Sequence, residues 1–373
     1  MTWIKQLVKT LAIASLFLSL SRGGMIFPPE SSAQGETDWE KTVKAAEQEG
    51  QVVVYKLGPD WEWNAFQKRF PKIKIVTVQG GGAETLQRLM AERRAGKFLA
   101  DVVRLGGGTS TTLYKGKALD PITPAFILPE VKEQKHWFEG KHHFNDIENR
   151  HIFLYAAFPL RLLGYNTKLV EPKAITSFHD LLDPKWRGKI TAKDPRDPGG
   201  GSPLLFLYYS PQLGPDYLKK LITEGGLTLV RDERQQTDWL ASGKFPIAIT
   251  AKPAEVDEAK RQGLPVDVLD GHATKKDGVG LESGGTMISL VNKGPHPNAA
   301  KVLINWFLSR EGQLAVQKGG PNDPGPNSLR EDISKEEIPP WHQRARGVNY
   351  LRLWGTEVWD RDAVRKLVIE LAK

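Results

Sequence analysis

Three runs of three glycines hold the clearest chemical potential in this 373-residue chain: Gly80-Gly-Gly-Ala-Glu-Thr-Leu, Gly106-Gly-Gly-Thr-Ser-Thr-Thr and Gly199-Gly-Gly-Ser-Pro-Leu-Leu. Each falls between a predicted strand and a predicted helix. Glycines there let backbone approach a ligand closely, and the helix start behind them presents unpaired N–H groups with about half a positive charge. Gly81, Gly82, Gly107, Gly108, Gly200 and Gly201 are therefore candidate anion-binding positions, with the hydroxyls of Thr109 and Ser202 beside them. Thr109, Ser110 and Ser202 are also good N-cap types, so these hydroxyls can equally just terminate a helix.

Arginines can complete an anion site, because a guanidinium grips carboxylate or phosphate through two parallel hydrogen bonds. Arg104 and Arg231 each end a predicted strand. A neighbouring acid such as Asp232 is the competing partner for Arg231. Trp61 and Trp63 follow the first strand and could cover an apolar part of a ligand, with core packing the competing role for at least one of them. Four of the eight histidines, His136, His142, His143 and His151, fall within sixteen residues beside Glu139, Asp146 and Glu148. Imidazole with carboxylate suits Zn(II), Ni(II) or Cu(II). The spacing matches no compact ligand motif, so His136, His142 and His143 are weak metal candidates against a solvated loop, and no cofactor is expected.

Other chemistries lack their residues. No cysteine is present, which excludes disulfides, thiolate metal sites and cysteine nucleophiles. P-loop, nucleophile-elbow, zinc-helix and dinucleotide-binding motifs are absent. Lys plus Arg is 52 against 44 acids, a net +8, yet the signs are mixed along the chain, unlike the one-sided basic face of a nucleic-acid reader. No nucleic-acid partner is expected.

The elements that must position these residues alternate strand and helix. Helices are expected over Trp39–Glu49, Trp61–Phe70 and Glu84–Ala95, with strands at Gln51–Tyr55, Lys72–Val78 and Ala100–Leu105. That pattern implies an α/β lobe with a parallel sheet and ligands at the carboxyl ends of its strands. A second α/β region has expected strands at Lys189–Ala192, Leu227–Val230 and Ile247–Thr250. Further on come a strand with a double glycine at Glu282–Val291, a helix at Asn298–Leu308, a breaker-rich loop at 319–328 and a helical tail around Arg361–Ala372. Residues 1–33 read as a cleavable secretory signal, with Lys5 and Lys9 before an apolar run and Ser31-Ser-Ala33 at the cleavage point. Its removal leaves +6, and without cysteine the mature chain cannot be lipidated there.

Gly164-Tyr-Asn-Thr-Lys-Leu-Val170 and Ser177-Phe-His-Asp-Leu-Leu-Asp-Pro-Lys-Trp-Arg-Gly-Lys-Ile190 resemble the signature of periplasmic solute-binding proteins of ABC importers, in the branch with the ferric-iron-binding proteins. Ala100–Val103, Gly243–Ile249, Gly284–Met287 and Ala299–Val316 follow in the matching order, over about residues 39–320. The resemblance implies a two-lobe, type II periplasmic-binding-protein-like α/β fold. Each lobe would be a mostly parallel sheet flanked by helices, hinged by crossing strands and closing on a ligand. Residues 36–160 with 278–320 would form lobe 1, 161–277 lobe 2, and 321–373 a loop and helical tail. It also implies a non-enzymatic product: a monomeric periplasmic protein handing its solute to a permease at the inner membrane.

In such relatives an arginine at the position of Arg161 often meets an anion in the cleft. The adjacent tyrosines of iron-binding members are replaced here by Thr250-Ala-Lys-Pro253, which removes two phenolates and adds Lys252. Tyr208-Tyr209 falls within a predicted helix and suits packing. The expected function is capture of a small anionic solute such as an organic acid, phosphate ester or phosphonate. Ferric iron or an iron chelate is the alternative ligand. A secreted hydrolase has the least support, since no nucleophile with its base can be assembled.

Overall fold

The computed structural model describes residues 36–58, 60–195, 202–249, 251–320, 325–355 and 361–371, with backbone only at 202, 203 and 361. The expected signal segment lies outside the described residues, and Asp38–Lys373 forms one compact unit. Among the described residues no helix is long and apolar enough to cross a membrane.

The first βα units form as the residue pattern dictates. Helix α1 (Asp38–Glu49) ends at Gly50, whose φ of +72° is open to glycine, and the β-branched run behind it becomes strand β1 (Gln51–Lys56). Helix α2 (Trp61–Arg69), strand β2 (Lys74–Gln79), helix α3 (Gly82–Arg94), strand β3 (Val102–Arg104) and helix α4 (Gly107–Lys115) follow. Strand β1 lies between β2 and β3, parallel to both. In the second sheet Ile190–Lys193 is likewise parallel to Thr228–Val230 and Ile247–Ile249.

The expectation of mostly parallel sheets holds only for these edges. Met287–Val291 pairs antiparallel with β3 and with Ile152–Leu154, and Leu163–Asn166 pairs antiparallel with Ile247–Ile249. Both sheets are therefore mixed, because chain returning from the other lobe enters against the direction of the βα units. The strand expected over Glu282–Val291 is also two strands, Val279–Glu282 and Met287–Val291. Gly284 and Gly285, at φ +52° and +90°, break it into a turn.

Two main cores result. One draws on residues from Ala46 to Ala157 and from Leu281 to Leu329, with Trp354. The other runs from Leu160 to Leu269 and takes in Val364 and Val368. The chain thus passes between cores three times. Two of these passages, Phe158–Pro159 and Val279–Glu282, pair antiparallel, and Tyr350–Arg352 adds a parallel third strand to the same small sheet.

The C-terminal residues are built into both cores. Arg330 is fully buried, bonding Asp332 through Nε and Nη2 at 2.9 and 2.7 Å and Leu308 O through Nη1 at 2.9 Å. Helix Arg361–Leu371 packs against Ser202–Tyr209 and Gly214–Thr223. Tyr208 and Tyr209 are partly buried against that second core, with ring centroids 4.9 Å apart.

A Cβ at Gly284 would come 2.6 Å from Phe158 Cζ, whereas at Gly285 its nearest neighbour is Gly106 Cα at 3.7 Å. Gly285→Ala should lower unfolding free energy by about 1–2 kcal/mol through its left-handed backbone. Gly284→Ala should cost more, and urea unfolding of the two variants measures the order.

Candidate functional site

Two of the three glycine runs lie at helix starts on the carboxyl side of parallel strands. Gly81 is the N-cap of α3 and Gly82 its first residue; Gly106 is the N-cap of α4, which opens with Gly107 and Gly108. The starts meet: a Cβ at Gly82 would lie 2.7 Å from Thr109 Oγ1. At Gly81 and Gly108 a Cβ would have no atom within 4 Å, so both face open space. The third run lies outside the described residues, including Gly200 and Gly201, and Ser202 begins the helix that follows.

The helix starts differ in how their amides are satisfied. Glu84 reaches back to Gly81 N at 3.3 Å, so α3 is capped by its own carboxylate. Helix α4 has no acidic residue in its first turn and no side-chain cap. Among the described residues no acceptor meets the amides of Gly107 or Gly108. Ser110, on the same turn and 1% exposed, has a hydroxyl without a partner among the described residues. Four amides at a helix start have no intrahelical acceptor, and this start is left to an outside one.

The cations expected in the cleft are already engaged by acids. The Arg161 side chain is 9% exposed, with Nη1 3.5 Å from Asp257 Oδ2 and its guanidinium 5.5 Å from the Trp341 ring centroid. Its Nε has no acceptor among the described residues. Arg231 Nε lies 3.7 Å from Asp194, and Lys252 lies 3.4 Å from Glu233 and 3.6 Å from Glu255. Lys252 is the N-cap of Pro253–Arg261, the helix that carries Asp257. The three cations thus lie in ion pairs of the second lobe, the competing role that the sequence left open for the arginines. Their paired carboxylates discount the field they can offer an anion.

Arg104 is buried and engaged within the first core. It donates to Tyr155 Oη at 3.0 Å, Leu57 O at 2.9 Å and Glu62 Oε1 at 2.5 Å. Tyr155 belongs to the segment leading into the first crossing, so this network ties the β1–α2 turn to the hinge. Trp61 is half-buried with its indole N–H unpaired among the described residues, close enough to Gly320 that a Cβ there would come 2.7 Å from its ring. Trp63 is in the core, stacked on Phe307 at 5.3 Å.

The weak metal candidates diverge. His136 pairs with Glu133 at 3.0 Å and Asp332 at 3.5 Å. His142 is ringed by Phe126, Trp137, Phe144 and Phe153, and His143 Nε2 bonds Phe138 O at 2.9 Å. Burial pushes both imidazoles down to about 4, so they are neutral at neutral pH. Among the described residues no group of three or more His, Asp or Glu side chains could hold a metal ion.

One residue escaped the sequence reading. Glu282, opposite Phe158 in the crossing strands, makes no side-chain hydrogen bond or ion pair among the described residues, and burial alone pushes its carboxyl up to about 7. Gly280, two residues earlier on the same face, points at Leu160 and Phe206, and Gly285, three later, abuts Gly106. Glu282 therefore lies in the crossing strand between Gly280 and the turn that abuts the N-cap of α4. Nothing in Leu281-Glu-Ser-Gly marks it as special, since its isolation arises from the crossing.

Arg104→Met would leave Glu62 buried without its guanidinium and should cost about 3–5 kcal/mol in urea unfolding. Because the Glu282 carboxyl is raised in the fold, its contribution is full below about pH 4.5 and is lost as pH rises through 7. Glu282→Gln should therefore be more stable than the parent at pH 8, with the difference closing by pH 4.5.

The profile of the bacterial extracellular solute-binding proteins matches residues 44–314. An uncharacterised protein of Haemophilus influenzae is 24% identical over 296 residues, covering 74% of this chain and 78% of its own. Among solved structures, the Trichodesmium protein IdiA/FutA in complex with iron and citrate superposes with a TM-score of 0.63 at 16% identity, over 86% of this chain and 99% of its own. AfuA of Actinobacillus pleuropneumoniae with fructose-6-phosphate gives 0.58 at 17%, over 86% and 98%. Iron-bound HitA of Pseudomonas aeruginosa gives 0.57 at 16%, over 87% and 99%. At such identities the superpositions establish the two-lobe, type II periplasmic-binding-protein fold. With the profile spanning most of its length, the chain belongs to the bacterial extracellular solute-binding protein family and is the solute-capturing component of an ABC importer.

Proposed function

We propose that the solute is a small hydroxylated anion, such as a hydroxy acid or a sugar phosphate, held between the lobes and handed to the permease. The observation that carries this reading is the start of α4, where the Gly107 and Gly108 amides have no acceptor among the described residues. Gly81, Gly82 and Thr109 would form the adjoining wall and Trp61 an apolar flank. Arg161, Arg231, Lys252 and the run Gly200-Gly201-Ser202 would approach from lobe 2. The Glu282 carboxyl would accept a hydroxyl of the solute, which explains why it lies at the crossing without a partner among the described residues. AfuA, a neighbour in fold, carries a ligand of this class, fructose-6-phosphate. The lobes would divide as 36–160 with 278–320 and 161–277. The mature chain would be a periplasmic monomer freed of residues 1–33, with binding rather than turnover as its task.

Gly108→Asp tests the reading without threatening the fold, because the site is open and an acid in the first turn of a helix is favourable. A thermal-shift screen of small anions should find a ligand that stabilises the parent and leaves Gly108→Asp unmoved. Equal stabilisation of both would remove the α4 start from the site.

A second reading, iron delivered with a carboxylate chelator, is favoured by the unpaired Glu282 and by the iron and citrate of the Trichodesmium neighbour. It predicts a coloured complex on adding ferric citrate, lost in Glu282→Gln, with iron-free anions leaving the melting temperature unchanged.

A further inference from the structure

We propose that a cavity of about 280 Å³ beneath the C-terminal segment, lined by Asn327, Glu331, Lys335, Gln343, Arg344 and Arg346, is a second site, which binds a small oxyanion carrying an O–H group, hydrogenphosphate being the simplest. It is distinct from the cleft residues and does not depend on the reading of that cleft.

Two half-buried cations converge there with no acid between them. Lys335 Nζ and Arg344 Nη2 both donate to Ser328 O, at 2.8 and 2.7 Å. The other contacts of Lys335 Nζ and Arg344 Nη1 are likewise neutral: Gln317 Oε1 at 2.8 Å for the lysine, Ala157 O at 2.6 Å and Asn327 O at 3.2 Å for the arginine. The guanidinium also lies 5.1 Å from the Phe138 ring centroid. Neither cation has an ion pair among the described residues. Glu331, the acid on the cavity wall, is exposed.

Removing two like charges from water beside each other is costly unless an opposite charge joins them. The cost registers in both groups. Burial, then Arg344, brings Lys335 down to about 7 against the opposing pull of Glu331 and Asp332, and burial brings Arg344 down to about 10 against that of Glu331. An anion in the cavity would relieve both. Arg346, exposed on the rim and without a partner among the described residues, adds a third positive charge.

The need for an O–H comes from Asn327. This side chain is 1% exposed and donates Nδ2 to His342 O at 2.8 Å, which fixes its orientation and leaves Oδ1 without a donor among the described residues. Three cations around an orphan acceptor fit an oxyanion that accepts on most of its oxygens and donates from one. Because Arg344 holds the carbonyl of Ala157, where the chain enters its first crossing, an occupant would brace the C-terminal segment against the hinge.

Calorimetric titration of the purified protein with inorganic phosphate and with sulfate at pH 7 is the test. Phosphate should bind at least tenfold more tightly than sulfate, which has no proton to offer Asn327. Binding should persist in Gly108→Asp, which blocks the cleft. It should weaken at least tenfold in Lys335→Met and in Arg346→Glu; the latter changes an exposed side chain that holds no other element, so the fold does not depend on it. No phosphate binding to the parent at millimolar concentration, equal affinity for sulfate, loss in Gly108→Asp, or full affinity in Arg346→Glu would each overturn the proposal.

Discussion

The rest of the molecule depends on the way its chain crosses between two cores. Phe158–Pro159 leaves the first core, Val279–Glu282 returns to it, and Tyr350–Arg352 runs beside that return. Three adjacent strands make a ribbon that can bend about its length while its hydrogen bonds hold register, which is what a hinge between rigid bodies requires. Each core is closed by its own packing. Arg104 anchors the ribbon's approach by joining Tyr155 to the β1–α2 turn. The C-terminal residues anchor it from beyond, through Arg344 on Ala157 and helix Arg361–Leu371 on the second core.

In the proposed complex that arrangement would bring unlike groups to one crevice. The α4 start brings amides in need of an acceptor, the crossing brings a carboxyl in need of a donor, and the second lobe brings cations with acids already beside them. A ligand with an anionic end and a hydroxylated body would answer both needs in that complex. A bare anion would leave Glu282 unanswered, and a bare cation would leave the α4 amides unanswered.

Much of this is legible in the sequence, for physical reasons. The β-branched runs and glycine stops mark the first strands and helices nearly to the residue, since local propensity and amphipathic pattern agree there. Gly81 and Gly107 stand out because helix starts carry a composition signal. The pairing of Arg161 with Asp257 does not, because 96 positions separate partners that only the fold brings together. Glu282 leaves no mark for the same reason: what sets it apart is burial at the crossing without a polar partner among the described residues. The antiparallel half of each sheet is also hidden, since a strand's residues reveal burial and alternation but not its direction. The tail 321–373 reads as a loop and a helix, and its role in both cores rests on long-range contacts such as Arg330 with Leu308 and Glu130.

In the proposed complex a solute's anionic group takes the amide hydrogens of Gly107 and Gly108. Amide-resolved NMR of isotope-labelled protein, titrated with a hexose 6-phosphate, reads those two groups directly. Both amide protons should move downfield and saturate with the binding isotherm, as each gains an acceptor. Binding of the hexose phosphate with those two resonances unmoved would contradict it.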